Sequence, residues 1–152
     1  MFWSEYFANE LSLDVLAADT SYASFLPRNE NEKISLHSDI LEAIRKIPPQ
    51  QRNAIFICDV IHHLEPAFWQ EILAKISGLF DIIIIKDIDS NRKFGNFCSA
   101  AHDRIINGTN FENVYPSEIE KFLEQNNFCV KITAMPKLWY PHFLLIATKE
   151  GK

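Results

Sequence analysis

The residues best suited to chemistry sit at the ends of two apolar runs. The first reads I-F-I-C-D-V-I-H-H-L-E from Ile55 to Glu65 and turns polar at Asp59, with His62 and His63 close behind. The second, Asp81 to Ile85, ends in Lys86-Asp87-Ile88-Asp89. Imidazoles next to carboxylates are the usual parts of general acid–base catalysis. His102-Asp103 repeats the pairing, and His142 adds another ring beside Tyr140. A metal centre is the other chemistry that histidines suggest. Neighbouring rings on an extended segment point in opposite directions, however, and neither H-x-x-x-H nor C-x-x-C completes a ligand set, so the reading is no metal. One histidine is expected to face a pocket while the other caps or packs.

These residues need a sheet to position them. A continuous apolar run reads as a parallel strand buried on both faces, and ligands of open α/β sheets bind beyond the carboxyl ends of such strands. The pattern predicts strands at Leu13–Ala18, Lys33–His37, Ala54–Cys58, Asp81–Ile85, Phe128–Ala134 and Tyr140–Thr148. Helices are expected over Phe2–Leu11, Ile40–Ile47, Ala67–Ser77 and Phe97–Ile106, with a helical turn at Ser21–Leu26. Gly108 suits a C-terminal cap, and Ser117 with Glu120 forms a capping box for one more helix, which Asn126-Asn127 can end. The last two strands are spaced for an antiparallel hairpin. Ile55, Ile57, Ile83, Ile85, Phe122, Leu144 and Ile146 are the expected core.

Composition fits one globular domain. The chain has 152 residues, of which 47% are hydrophobic and 23% charged, and a formal net charge of −5. With no basic cluster among the aromatics, nucleic-acid binding is not indicated. No run is long enough to cross a bilayer and no signal segment is recognisable, so a cytoplasmic protein without membrane insertion is expected. Three widely spaced cysteines, Cys58, Cys98 and Cys129, do not form a disulfide framework.

The order of elements resembles the class I S-adenosylmethionine-dependent methyltransferases across nearly the whole chain. In that family an acid ends the second strand, as Asp19 does in L-D-V-L-A-A-D-T-S, and another follows the third strand, as Asp39 does in I-S-L-H-S-D-I. The fourth strand runs on into a D-x-x-x-H-H-L-like segment, matched by Asp59 to Leu64. The resemblance implies a three-layer α/β Rossmann-like sandwich, a mostly parallel sheet closed by an antiparallel hairpin. It implies S-adenosylmethionine as cofactor, held by Asp19, Asp39, Ile40, Asp59, Val60 and His63. His63, His102 and Lys86 are then the catalytic candidates, acting on a small-molecule methyl acceptor.

One departure stands against these matches. The family's first strand and its G-x-G-x-G loop should precede the first helix, and the chain's four glycines, Gly78, Gly95, Gly108 and Gly151, cannot supply that loop. A single, N-terminally incomplete domain is expected, weak or inactive alone: a fragment, a decayed homologue, or a fold that repairs the gap by repacking or homodimerising. The alternative is a non-catalytic Rossmann-like module for dimerisation or partner binding.

Overall fold

In a computed structural model the described residues are 2–12, 14–18, 34–37, 40–108, 111–135 and 139–151, and they form two compact units, Met1–Gln51 and Arg52–Lys152. The first holds helix α1 (Phe2–Asn9), strand β1 (Val15–Ala18), strand β2 (Ile34–His37) and helix α2 (Ile40–Lys46). Its two strands pair in parallel, Val15 opposite Ile34 through Ala18 opposite His37. Ala8, Ala43 and Ile44 are buried in it. The expected turn at Ser21–Leu26 lies outside the described residues, as do Asp19 and Asp39.

The second unit is built on a four-stranded sheet. Its elements are β3 (Ala54–Cys58), α3 (Pro66–Ser77), β4 (Ile82–Ile88), α4 (Lys93–His102), α5 (Pro116–Glu124), β5 (Phe128–Met135) and β6 (His142–Lys149). The strand order is β3-β4-β6-β5. β3 and β4 run parallel, whereas β6 is antiparallel to both β4 and β5. This is the expected α/β arrangement with the last strand reversed, although the four-stranded sheet is mixed, with β3–β4 as its one parallel pair among the described residues. β3 lies at the sheet's edge, paired with β4 alone among the described residues.

Local chemistry explains where the helices start and stop. Pro66 and Pro116 each occupy a first helical position, where the missing N–H costs nothing and φ is already set. Pro116, not the Ser117–Glu120 capping box, therefore opens α5: Tyr115 is the N-cap and makes no side-chain cap bond. α4 begins four residues ahead of the expected Phe97. It passes at Asp103 into a π-helical turn, Asp103–Asn107, closed by Gly108 in the left-handed conformation. Asn127, at φ 63, supplies the left-handed residue after α5. None of the helices among the described residues is long and apolar enough to cross a membrane.

Parity decides which side of each strand is dry. Ile57, Ile83, Ile85, Phe143, Leu145 and Ala147 are buried, together with Trp69, Leu73 and Ile76 of α3 and Ile119 and Leu123 of α5. Ile55, Phe122 and Leu144 are only half-buried, and Ile146 is 37% exposed. The expected core was therefore right at Ile57, Ile83 and Ile85 and one residue out of phase in β6. Phe143–Ala147 is an unbroken apolar run, and such a run does not reveal its own phase. The pairing Ile83–Ala147, Ile85–Leu145 and Asp87–Phe143 sets it.

Leu145→Ala should therefore lower unfolding free energy by about 2–5 kcal/mol, as expected of a fully enclosed leucine. Ile146→Ala should cost clearly less. Denaturant titrations of the two variants compare them, and equal losses would show that both faces of β6 are equally packed.

Candidate functional site

The carboxyl ends of β3 and β4 open into a cavity of about 380 Å³, lined by Asp59, His62, His63, Lys86, Ile88, His102, Asp103, Tyr140 and His142. Each wall has a local origin. β3 stops because Asp59 turns left-handed, at φ 54, while its N–H donates to the Lys86 carbonyl at 2.8 Å. Aspartate is one of the few residues that tolerate this conformation. Residues Ile61–His63 then form a single 3-10 turn. The turn overturns the extended geometry expected for the two histidines: their ring centroids are 3.9 Å apart.

One buried side chain holds this turn. Asp87 is completely enclosed, and its carboxyl oxygens accept bonds from the Ile61 N–H at 2.8 Å, the His62 Nδ1 at 2.6 Å and the Ile88 N–H at 2.7 Å. The Glu112 N–H donates to the His62 carbonyl at 2.7 Å, and the Phe111 ring packs against the His62 ring. The His62 Nε2 lies 3.5 Å from an Asp103 carboxyl oxygen, so the ring bridges two acids. Burial alone would lower the His62 pKa. The bond to Asp87 and its charge outweigh burial, helped by Asp103 and Asp59, and the pKa is raised.

A second cluster forms the facing wall. The Lys86 Nζ donates to both Asp59 carboxyl oxygens, at 2.8 and 2.6 Å, and the His142 Nε2 lies 3.3 Å from one of them. Burial works against the Asp59 charge, yet hydrogen bonds from His142 and Lys86 and the lysine's charge hold its carboxyl well below the usual range. The same surroundings push the neighbouring Cys58 thiol up to about 12, first through burial and then through the Asp59 charge, so this thiol is no nucleophile near neutral pH. Tyr140 stacks on His142 and meets His102 edge-on, with centroids 6.3 and 5.6 Å apart.

Of the expected catalytic and cofactor residues, the cavity brings together Asp59, His63, Lys86 and His102, and His62, Asp103, Tyr140 and His142 join them. Val60 is not among its lining residues and is exposed, while Ile40 opens α2 in the other unit. Asp19 and Asp39 fall outside the described residues. Asp87 and Asp103, which the sequence offers only as carboxylates beside Lys86 and His102, are both buried. The signal for Asp87 was present: it lies two and four residues beyond Ile85 and Ile83, on the same strand face.

No protein-family model matches the chain, and no curated protein matches it. Solved structures do. The methyltransferase domain of bacterial CtHen1-C superposes with a TM-score of 0.63 at 14% identity, covering 97% of this chain and 83% of that one. Magnesium protoporphyrin IX methyltransferase from Synechocystis PCC 6803, with bound SAH, gives 0.60 at 15% identity over 90% of this chain. This chain spans 64% of that enzyme's length. A DhpI–SAH complex gives 0.60 at 11% identity, covering 98% of this chain and 74% of that one. The chain has the α/β fold of the class I S-adenosylmethionine-dependent methyltransferases.

Because the folded Asp59 pKa lies below its unfolded value of about 3.9, the charge of Asp59 stabilises the fold fully above about pH 4. That contribution is lost progressively as pH falls through the folded value. Asp59→Asn keeps a residue that tolerates the left-handed turn. The stability gap between it and the parent chain should be widest near neutral pH and close steadily below about pH 4, measured by urea unfolding across pH. A gap unchanged down to about pH 2 would mean that the Lys86 and His142 contacts add nothing through charge.

Proposed function

We propose that the chain is a methyltransferase-like domain that uses S-adenosylmethionine, with a small-molecule acceptor entering the cavity at the ends of β3 and β4. The observation that carries this reading is the convergence of Asp59, His63, Lys86 and His102 at the carboxyl edge of a methyltransferase-like sheet. In such a transfer the acceptor's lone pair forms a bond to the methyl carbon as the sulfonium–carbon bond breaks. S-adenosylhomocysteine leaves, and any acceptor proton passes to a base. The donor is already activated, so positioning and exclusion of water supply much of the rate.

The residues present suit the acceptor better than the donor. His63 and His102 face the cavity as bases, and the Tyr140 ring offers an apolar wall. Lys86 is a positioning group here, since its ammonium is held by Asp59. For the donor the fit is partial. Both Asp59 oxygens are already bonded, and the four glycines are too widely spaced to let several backbone amides close around a ligand. Val60 and His63 remain the proposed cofactor contacts of the second unit, and Asp19, Asp39 and Ile40 those of the first. An acidic chain with a net charge of −5 favours a small acceptor over a polyanion. One structural neighbour is nevertheless described as the small RNA methyltransferase HEN1, with a TM-score of 0.51.

Calorimetry with S-adenosylmethionine tests the donor side. The 152-residue chain should bind weakly, and joining a strand and a glycine-rich loop ahead of Met1 should tighten binding by at least about tenfold, because preorganised amides lower the cost of ordering the ligand. His102→Ala in the extended chain should slow transfer to small hydroxyl or amine acceptors while leaving cofactor affinity unchanged. Transfer to RNA but not to small acceptors would reverse the substrate assignment. No binding by either chain would leave the non-catalytic module as the better reading.

A further inference from the structure

The His62–His63 turn does what an extended segment would not: it presents two imidazoles on one side, facing a carboxylate. One ligand atom each from His62, His63 and Asp103 lie within 4.8 Å of one another. The His62 Nε2 to Asp103 Oδ2 distance is 3.5 Å, close to the edge of about 3.3–3.4 Å spanned by two ligands of a tetrahedral ion with bonds of about 2.0–2.1 Å. The His62 Nδ1 is already committed to Asp87, which leaves Nε2 as the atom aimed at Asp103. A carboxylate behind a histidine, fixing the ring and its tautomer, is the usual support of a metal-binding imidazole.

We propose that His62, His63 and Asp103 hold a divalent first-row transition ion at the wall of the cavity, with Asp87 as the positioning residue behind His62. Two imidazoles and one carboxylate suit zinc, manganese, iron or cobalt better than calcium or magnesium, which prefer all-oxygen ligands. Three protein ligands leave at least one position open to the cavity, the pattern of a catalytic rather than a structural site. The π-helical turn beginning at Asp103 contributes to this placement, because it lets a helix continue while redirecting the residue that enters the wall. His63 is only half-buried, and its ligand atom is among the three that lie within 4.8 Å of one another. With the ion bound His63 is a ligand and no longer a base, and an acceptor oxygen at the open position would be polarised for loss of its proton to His102. That role rests on the proposed function, whereas the ion site itself does not. The protein-only competitor is an imidazolium at His62 bridging Asp87 and Asp103.

The test uses the whole chain, stripped with chelator and titrated with Zn²⁺ by calorimetry, with Co²⁺ absorption reporting the ligand field. One ion per chain is expected, with excess Mg²⁺ failing to compete. His63→Ala and Asp103→Asn should each weaken Zn²⁺ binding by about 100-fold or more, and Asp87→Asn by about 10–100-fold. His102→Ala, which removes a ring 3.7 Å from the Asp103 carboxylate, should weaken binding by less than about tenfold. Circular dichroism of each variant separates lost ligands from lost fold, and His63→Ala is the safest because that side chain is only partly enclosed. Absence of binding by the parent chain would overturn the proposal. Binding that survives both His63→Ala and Asp103→Asn, or that His102→Ala abolishes, would place the ion elsewhere and overturn it equally. Neither donor nor acceptor is present in the titration, so its failure is distinct from failure of the methyl-transfer reading.

Discussion

The carboxyl group of Asp87 is the interaction on which the cavity depends. An aspartate taken wholly out of water is tolerated only when its lone pairs find donors, and three reach it here: the Ile61 and Ile88 amides and the His62 ring. Two of the three belong to the turn after β3, while Asp87 itself belongs to β4. The bond set therefore fixes the end of one strand against the end of its neighbour. Removing one partner of such a buried pair typically costs about 3–5 kcal/mol, because the other is left without compensation.

Everything at the wall follows from that attachment. Once the Ile61 amide is held, the chain must turn within Ile61–His63, and the two imidazoles come to the same side. The Glu112 amide and the Phe111 ring secure the turn from outside. The Asp59–Lys86–His142 cluster is built the same way, from the residue that ends β3, the last-but-two position of β4 and the first residue of β6. Two acid–base clusters thus face one space, one at the ends of β3, β4 and β6, the other where the turn after β3 and Asp103 of the π-helical turn meet Asp87 of β4. The placement of these polar groups is inherited from the register and packing of Ile83, Ile85 and Leu145.

Much of this was legible in the sequence, and the exceptions have physical causes. β3 appears at its expected bounds because its apolar run ends abruptly at Asp59. β4 extends to Ile88, beyond the expected Ile85, because Lys86 and Asp87 stay in the ladder opposite Leu144 and Phe143. Polar side chains at a strand end read as surface unless partners are known, and the donors to Asp87 come from another segment. The phase of β6 was hidden by a run with no alternation. The approach of His62 and His63 depended on a single turn, one that a tertiary bond from 26 residues away stabilises. The meeting of Asp59, His63, Lys86 and His102 at one sheet edge was legible from the strand ends, whereas the burial of Asp87 and its bond to His62 were not.

The most direct measurement of this account is the protonation of the His62 ring, read from long-range proton–nitrogen NMR spectra near neutral pH. The structure predicts a proton on Nδ1, shifted far downfield by its 2.6 Å bond to Asp87 and protected from exchange. In Asp87→Asn that resonance should move upfield and exchange rapidly, with chemical-shift changes reaching Ile61 and His63. A His62 ring whose Nδ1 bears no proton, or whose spectrum is indifferent to Asp87→Asn, would contradict the claim that Asp87 builds the site.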